Sequence, residues 1–271
     1  MTKQALQRMI AAFCVLSFFA VPLSAQEVRL QYKFKTGDVS RYKETTENDM
    51  TSDMMPAGGQ KVFNEMYSTQ RVEKVNNDGS AEVVQTIDSV NTLLNDQPFN
   101  NPQTTALVGL PVRITVAATG KMLDIRPISD SASESEKAAV EILRKQLATQ
   151  PSYPATALAL NVPWEDSVTF SQATQMGSIT SNIRYSTKLV GEDTVASNDV
   201  KVLERSVTIA GEIGDGAGTL KGSGRGNIYF SDVLGKEIMS TMLLDESIAM
   251  DTPQGPFSMA MKVSTKKELL R

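Results

Sequence analysis

Apolar and polar residues alternate along most of this chain with a period of two, the pattern of strands that bury one face and wet the other. Val28, Leu30, Tyr32 and Phe34 fall on one side of the first such run, and Arg29, Gln31, Lys33 and Lys35 on the other. Gly37-Asp38 turns the chain into a strand from Val39 to about Asn48. A loop through Met54, Pro56, Gly58 and Gly59 leads to a long strand over 61–75, and Asn76-Asn77-Asp78-Gly79 is a strong hairpin turn. Residues 81–94 run back, and the Asn-, Gln- and Pro-rich stretch 95–103 reads as a loop. Val112, Ile114 and Val116 begin another strand, which Thr119-Gly120 turns into 121–126.

Then the period changes. Ser133 with Glu136 three residues on is a capping box, and Val140, Leu143 and Leu147 continue at helical spacing to about Thr149. Pro151 and Pro154 stop that helix. Strand patterns resume over about 166–175, 178–190, 199–210, 218–231, 236–250 and 257–268, with Glu165-Asp166 expected as the turn that opens the first at Ser167. Seven glycines between Gly211 and Gly226 predict turns, bulges or strong curvature there.

The two halves correspond loosely. Gly37–Tyr42 matches Glu165–Phe170 in outline. Lys74-Val75 answers Leu189-Val190, and Thr119-Gly120-Lys121-Met122 answers Leu234-Gly235-Lys236-Glu237, the last two pairs sharing an offset of 115 residues. A constant offset is what an internal duplication leaves. Chance matches among hairpins leave the same trace, so two pseudo-repeats and coincidence both stay open.

The start of the chain reads differently. Lys3 and Arg8 precede an apolar stretch from Met9 to about Val21, and Pro22-Leu23-Ser24-Ala25 follows. Positive, apolar, small is the order of a secretory signal, with cleavage expected after Ala25. The apolar run is shorter than the roughly 20 residues that span a bilayer, and no later segment is apolar for that long, so no transmembrane anchor is expected. The predicted organisation is a signal at 1–25 and one β-rich domain over 26–271: a first half at 26–129, a linking helix at about 131–149 and a second half at about 155–271. The location expected is periplasmic or extracellular.

Composition narrows the chemistry. The chain has no histidine, and its one cysteine, Cys14, lies inside the apolar run. After Ala25 there is thus no Ser-His-Asp triad, no Cys-His pair, no disulfide and no His-ligated metal site. The net charge is −4, and cleavage removes Lys3 and Arg8 and makes it more negative. An acidic chain without a basic cluster is a poor nucleic-acid binder.

The residual motifs are weak. Ser264-Thr265-Lys266-Lys267 fits Ser-x-x-Lys but reads as the end of the last strand. Asp215-Gly216 and Asn76–Gly79 lack the alternating ligands and final Glu of a calcium loop. Gly222-Ser223-Gly224-Arg225-Gly226 resembles a phosphate loop in composition only, since a strand follows it. Trp164, the sole tryptophan, is placed to plug one end of the fold. No catalytic, cofactor-binding or metal residue is therefore assigned.

The methionines are more informative. Eleven of the thirteen lie after Ala25, and Phe257, Met259 and Met261 alternate with Ser258, Ala260 and Lys262. Flexible, polarisable Met suits surfaces that accept variable apolar shapes. Met242, Phe257, Met259 and Met261 are accordingly the candidate ligand-lining residues, with ordinary core filling as the alternative.

The segment Ile228–Ile238, with its Asp232-x-x-Gly235-Lys236 hairpin, resembles a hairpin of the bacterial lipoprotein-carrier (LolA-like) half-barrel group. Phe34-Lys35-Thr36-Gly37-Asp38 is similar to the opening of uncharacterised secreted proteins placed near that group. The resemblance implies a mainly β (α+β) fold, a strongly curved antiparallel sheet or open half-barrel with one or more helices against its concave face. It also implies an apolar concave face that carries acyl chains. Three functions follow as alternatives: a non-enzymatic carrier of a hydrophobic or amphiphilic small molecule, an envelope scaffold with a filled core that meets a protein partner, and a carboxylate-only enzyme such as a glycoside hydrolase.

Overall fold

The computed structural model describes residues 28–55, 59–100, 102–128, 132–174, 177–214, 216–252 and 255–270. The expected signal and cleavage after Ala25, like Asp215, lie outside the described residues.

Among the described residues twelve strands form one antiparallel sheet. They are β1 (Val39–Ser52), β2 (Gln60–Val75), β3 (Ala81–Leu94), β4 (Gln97–Pro98), β5 (Pro111–Val116), β6 (Met122–Pro127), β7 (Pro163–Thr174), β8 (Gly177–Val195), β9 (Asn198–Ile213), β10 (Gly218–Ser231), β11 (Lys236–Thr252) and β12 (Gly255–Leu270). The order across the sheet is β6-β5-β3-β2-β1-β12-β11-β10-β9-β8-β7, with β4 a short addition to β3. Each half is thus a meander, and the halves meet where β1 pairs with β12, Arg41 opposite Leu270. β6 and β7 are the two edges and do not pair, so the sheet is not closed into a barrel.

Among the described residues two helices interrupt it, α1 (Pro102–Thr105) and α2 (Glu134–Ala148). Ser133 caps α2 as the capping box requires, its side chain accepting from the Glu136 amide while Glu136 reaches back to the Ser133 amide. Val140 and Leu143 bury the helix against Ile87, Val112, Ile114 and Ile125 of β3, β5 and β6. The Arg144 guanidinium donates to the Ile125 carbonyl at 2.6 Å and fixes the approach. Among the described residues no helix is long and apolar enough to cross a membrane.

Two expectations change. Residues 28–35 alternate as foreseen, yet they join the sheet in no ladder: Val28 makes one bridge with Leu158, and Leu30 and Tyr32 pack down onto the sheet. The segment is a cover, because its apolar side chains found a face to bury against rather than a free edge. Glu165 and Asp166 are not a turn but lie inside β7, opposite Ser186 and Tyr185. Asp166 uses its carboxylate to accept from the Ser152 amide at 3.2 Å and so holds the connection from α2.

Candidate functional site

Because side chains alternate across a strand, the pairing register sorts the sheet into two faces. The outer face carries the charges: Lys43 pairs with Glu65 at 2.6 Å and Lys188 with Glu204 at 2.8 Å. The inner face changes character along the strands.

At one end it is filled. Leu189, Leu203, Ile228 and Phe230 are covered by Leu30, Tyr153 and Leu158, and Trp164 packs beside them. Tyr153 meets the Phe230 ring edge-on at 5.3 Å, and Tyr32 meets it at 5.6 Å. Both tyrosine hydroxyls donate to one Glu237 oxygen, at 3.0 Å from Tyr32 and 2.6 Å from Tyr153. Burial, then the Glu237 charge, pushes both phenols well above their ordinary pKa.

Further along comes a polar belt. Arg205 on β9 donates to Thr187 at 3.1 Å and lies over the Tyr185 ring; Lys267 on β12 lies over the Tyr42 ring at 4.8 Å. Glu44 is the cross-strand neighbour of Lys267.

Beyond the belt the face turns apolar. Leu244 stands opposite Val263, Ile248 opposite Met259, and Met250 opposite Phe257. Ile209 stands opposite Ile183, and Met50 opposite Met261. On β10 the matching positions are Gly218, Leu220, Gly222, Gly224 and Gly226. A Cβ on Gly226 would run into the Thr241 carbonyl oxygen, and one on Gly224 would lie 2.6 Å from that of Leu243. Only glycine permits so close an approach, which answers the predicted glycine-rich curvature.

A cavity of about 710 Å³ opens on this face. Met66 and Ile87 of β2 and β3, Leu143 and Leu147 of α2, and Ile183 and Ile209 of β8 and β9 all line it. β3 and β8 are seven strand spacings apart, about 34 Å on a flat sheet, so the sheet bends to bring them to one cavity. The volume lies in the range of ligand pockets, roughly 300–1,000 Å³.

The register places all four sequence-chosen residues on this inner face, half-buried. Met242 lines the cavity directly. Phe257, Met259 and Met261 continue the same face towards the hairpin ends and are not among the cavity's lining residues. Glu246, which no sequence motif singles out, also lines the cavity. The signal was present: Met242, Leu244, Glu246, Ile248 and Met250 alternate, and one of the five is a carboxylate. Burial raises the Glu246 pKa above the ordinary carboxylate value.

The weak motifs resolve geometrically. Ser264 and Lys267 are three apart on β12 and so point to opposite faces. The Gly222–Gly226 run is the middle of β10. Asp78 spends its carboxylate on the Ser80 amide and hydroxyl, at 3.0 and 2.7 Å, as a turn does. Among the described residues no three His, Cys, Asp or Glu side chains are grouped to hold a metal.

No known family model and no curated protein matches the chain. Among solved structures it is similar to lipovitellin in a study of its lipid–protein interactions, 14% identical over 88% of this chain with a TM-score of 0.47, and it spans only 25% of lipovitellin's length. A hypothetical lipoprotein, YmcC of Escherichia coli, is 11% identical over 94% of this chain and 95% of its own, with a TM-score of 0.24. The outer membrane protein OmpT of Vibrio cholerae, with one loop deleted, is 9% identical over 87% of this chain and 100% of its own, with a TM-score of 0.19. Likenesses this slight assign neither a family nor a role.

Proposed function

We propose that this chain is an exported, non-enzymatic binding protein that carries a lipid or another apolar chain on the concave face of its bent sheet, with α2 lying along that concavity. One observation carries the reading: the inner face of β11 and β12 continues apolar past the polar belt, through Leu244, Ile248, Met259 and Met261, and stays half-buried instead of covered. An apolar face of that extent favours an apolar occupant. Each methylene it takes from water contributes roughly 0.8 kcal/mol, so ten carbons contribute about 8 kcal/mol, comparable with the estimated cost of association.

The filled end favours a second reading, a packed envelope scaffold that meets a protein partner. One experiment separates the two. Solvent extraction and mass spectrometry of the purified protein, with titration of an uncharged fluorescent probe, should find retained lipid or a saturable fluorescence rise. Protein that carries no lipid and leaves the probe unchanged rules out the carrier and leaves the scaffold.

A further inference from the structure

Glu246 is misplaced for a simple apolar shelf. Its strand partners on either side are Met261 of β12 and Gly222 of β10, and its same-face neighbours along β11 are Leu244 and Ile248. Its side chain leans over Gly222, where an added Cβ would lie 3.1 Å from the Glu246 Cγ. Among the described residues it has neither an ion-pair nor a hydrogen-bond partner. The other charged or titratable groups that line the cavity are Glu44, Tyr185, Arg205 and Lys267. Arg205 sits in the cross-sheet row of Met242, four residues along from Glu246 or about 13 Å; Lys267 is six residues along from Met261, about 20 Å. Glu44 lies in the row of Lys267, and the Tyr185 hydroxyl is spent on the Thr149 carbonyl. Ile209, Ile183 and Met50, which share the Glu246 row, bring no charge. Nothing within reach neutralises this carboxylate.

An apolar chain laid over the shelf must therefore cover a charge or neutralise it, and an uncompensated buried charge costs far more than a proton. We propose that Glu246 couples occupancy of this face to proton uptake: the ligand is held when Glu246 is neutral and released when it ionises. This rests on the carrier reading. The sign follows from linkage. Burial already favours the protonated form, a covering ligand favours it further, so binding takes up a proton and affinity rises as pH falls.

The test uses N-phenyl-1-naphthylamine, an apolar probe uncharged over the range, titrated into wild type and Glu246→Gln between about pH 7.5 and about pH 5. Wild-type affinity should rise about tenfold on acidification, and isothermal titration in two buffers of different ionisation enthalpy should show uptake of up to one proton. Glu246→Gln should bind at neutral pH as wild type binds at acidic pH, without the pH slope or the proton uptake. Equal slopes in the two proteins, or a flat wild type that still binds, overturn the proton coupling and leave the carrier. A probe that binds neither protein overturns both.

Discussion

The two ends of the inner face are built from the same strands and differ in what lies over them. β10 supplies Ile228 and Phe230 to one end and Leu220 to the other, beside Ile248 and Met250 of β11. Ile228 and Phe230 are 3% and 0% exposed, because Leu30, Tyr32, Tyr153 and Leu158 of the flanking segments cover that end. The other end has no such cover: Leu220, Ile248 and Met250 stay half-buried, whereas Ile209 and Ile213 of β9 beside them are 8% and 0% exposed. Strand composition is alike at both ends, so an apolar side chain here marks a face and not a filled core. The cover decides which part of the face is filled and which part stays open.

Truncation should expose that contrast. Phe230→Ala, in the filled end, should cost about 3–5 kcal/mol in denaturant unfolding. Ile248→Ala, at the open end, should cost less than about 1 kcal/mol, since little packing is lost. Similar losses at both sites would break the comparison. Tyr153→Phe removes one of the two donors to the half-buried Glu237 carboxylate and should cost about 1.5–3 kcal/mol, with probe binding unchanged.

The open end should answer in binding instead. Leu244→Lys should weaken the apolar probe about tenfold, near 1.4 kcal/mol, and leave the unfolding midpoint close to wild type. Last and smallest is a pH effect on the ligand-free fold. The native state holds the Glu246 proton to a higher pH than the unfolded chain does, so this group lowers stability as pH rises through its raised pKa. Thermal unfolding should find Glu246→Gln more stable than wild type near neutral pH, with the difference gone below the ordinary carboxylate range. An advantage that persists at low pH would show that burial of the charge is not its cause.

Much of the fold was legible because its signals are local. Alternation at period two located the strands to within a few residues, the Asn76–Gly79 turn closed its hairpin, and the Ser133–Glu136 pair capped the helix as expected. The errors came where local pattern was ambiguous. Residues 28–35 have a strand's alternation but cover the sheet instead of joining it, and Glu165-Asp166 look like a turn but sit in β7. The site was half legible. Phe257, Met259 and Met261 share one face of β12 as their alternation implied, whereas the placing of Met242 on that same face, Glu246 and the cavity walls from α2 and β3 required the fold.

Alternation by itself determined sidedness, since neighbouring residues on a strand must point opposite ways whatever the strand pairs with. It could not say which stretch of that face would be roofed. That depended on how segments far apart in the chain come together: β1 against β12 joining the halves, Tyr32 and Tyr153 converging on Glu237, and Leu143 and Ile183 lining one cavity. Such contacts are chosen by packing of the whole molecule, and no short window of sequence contains them.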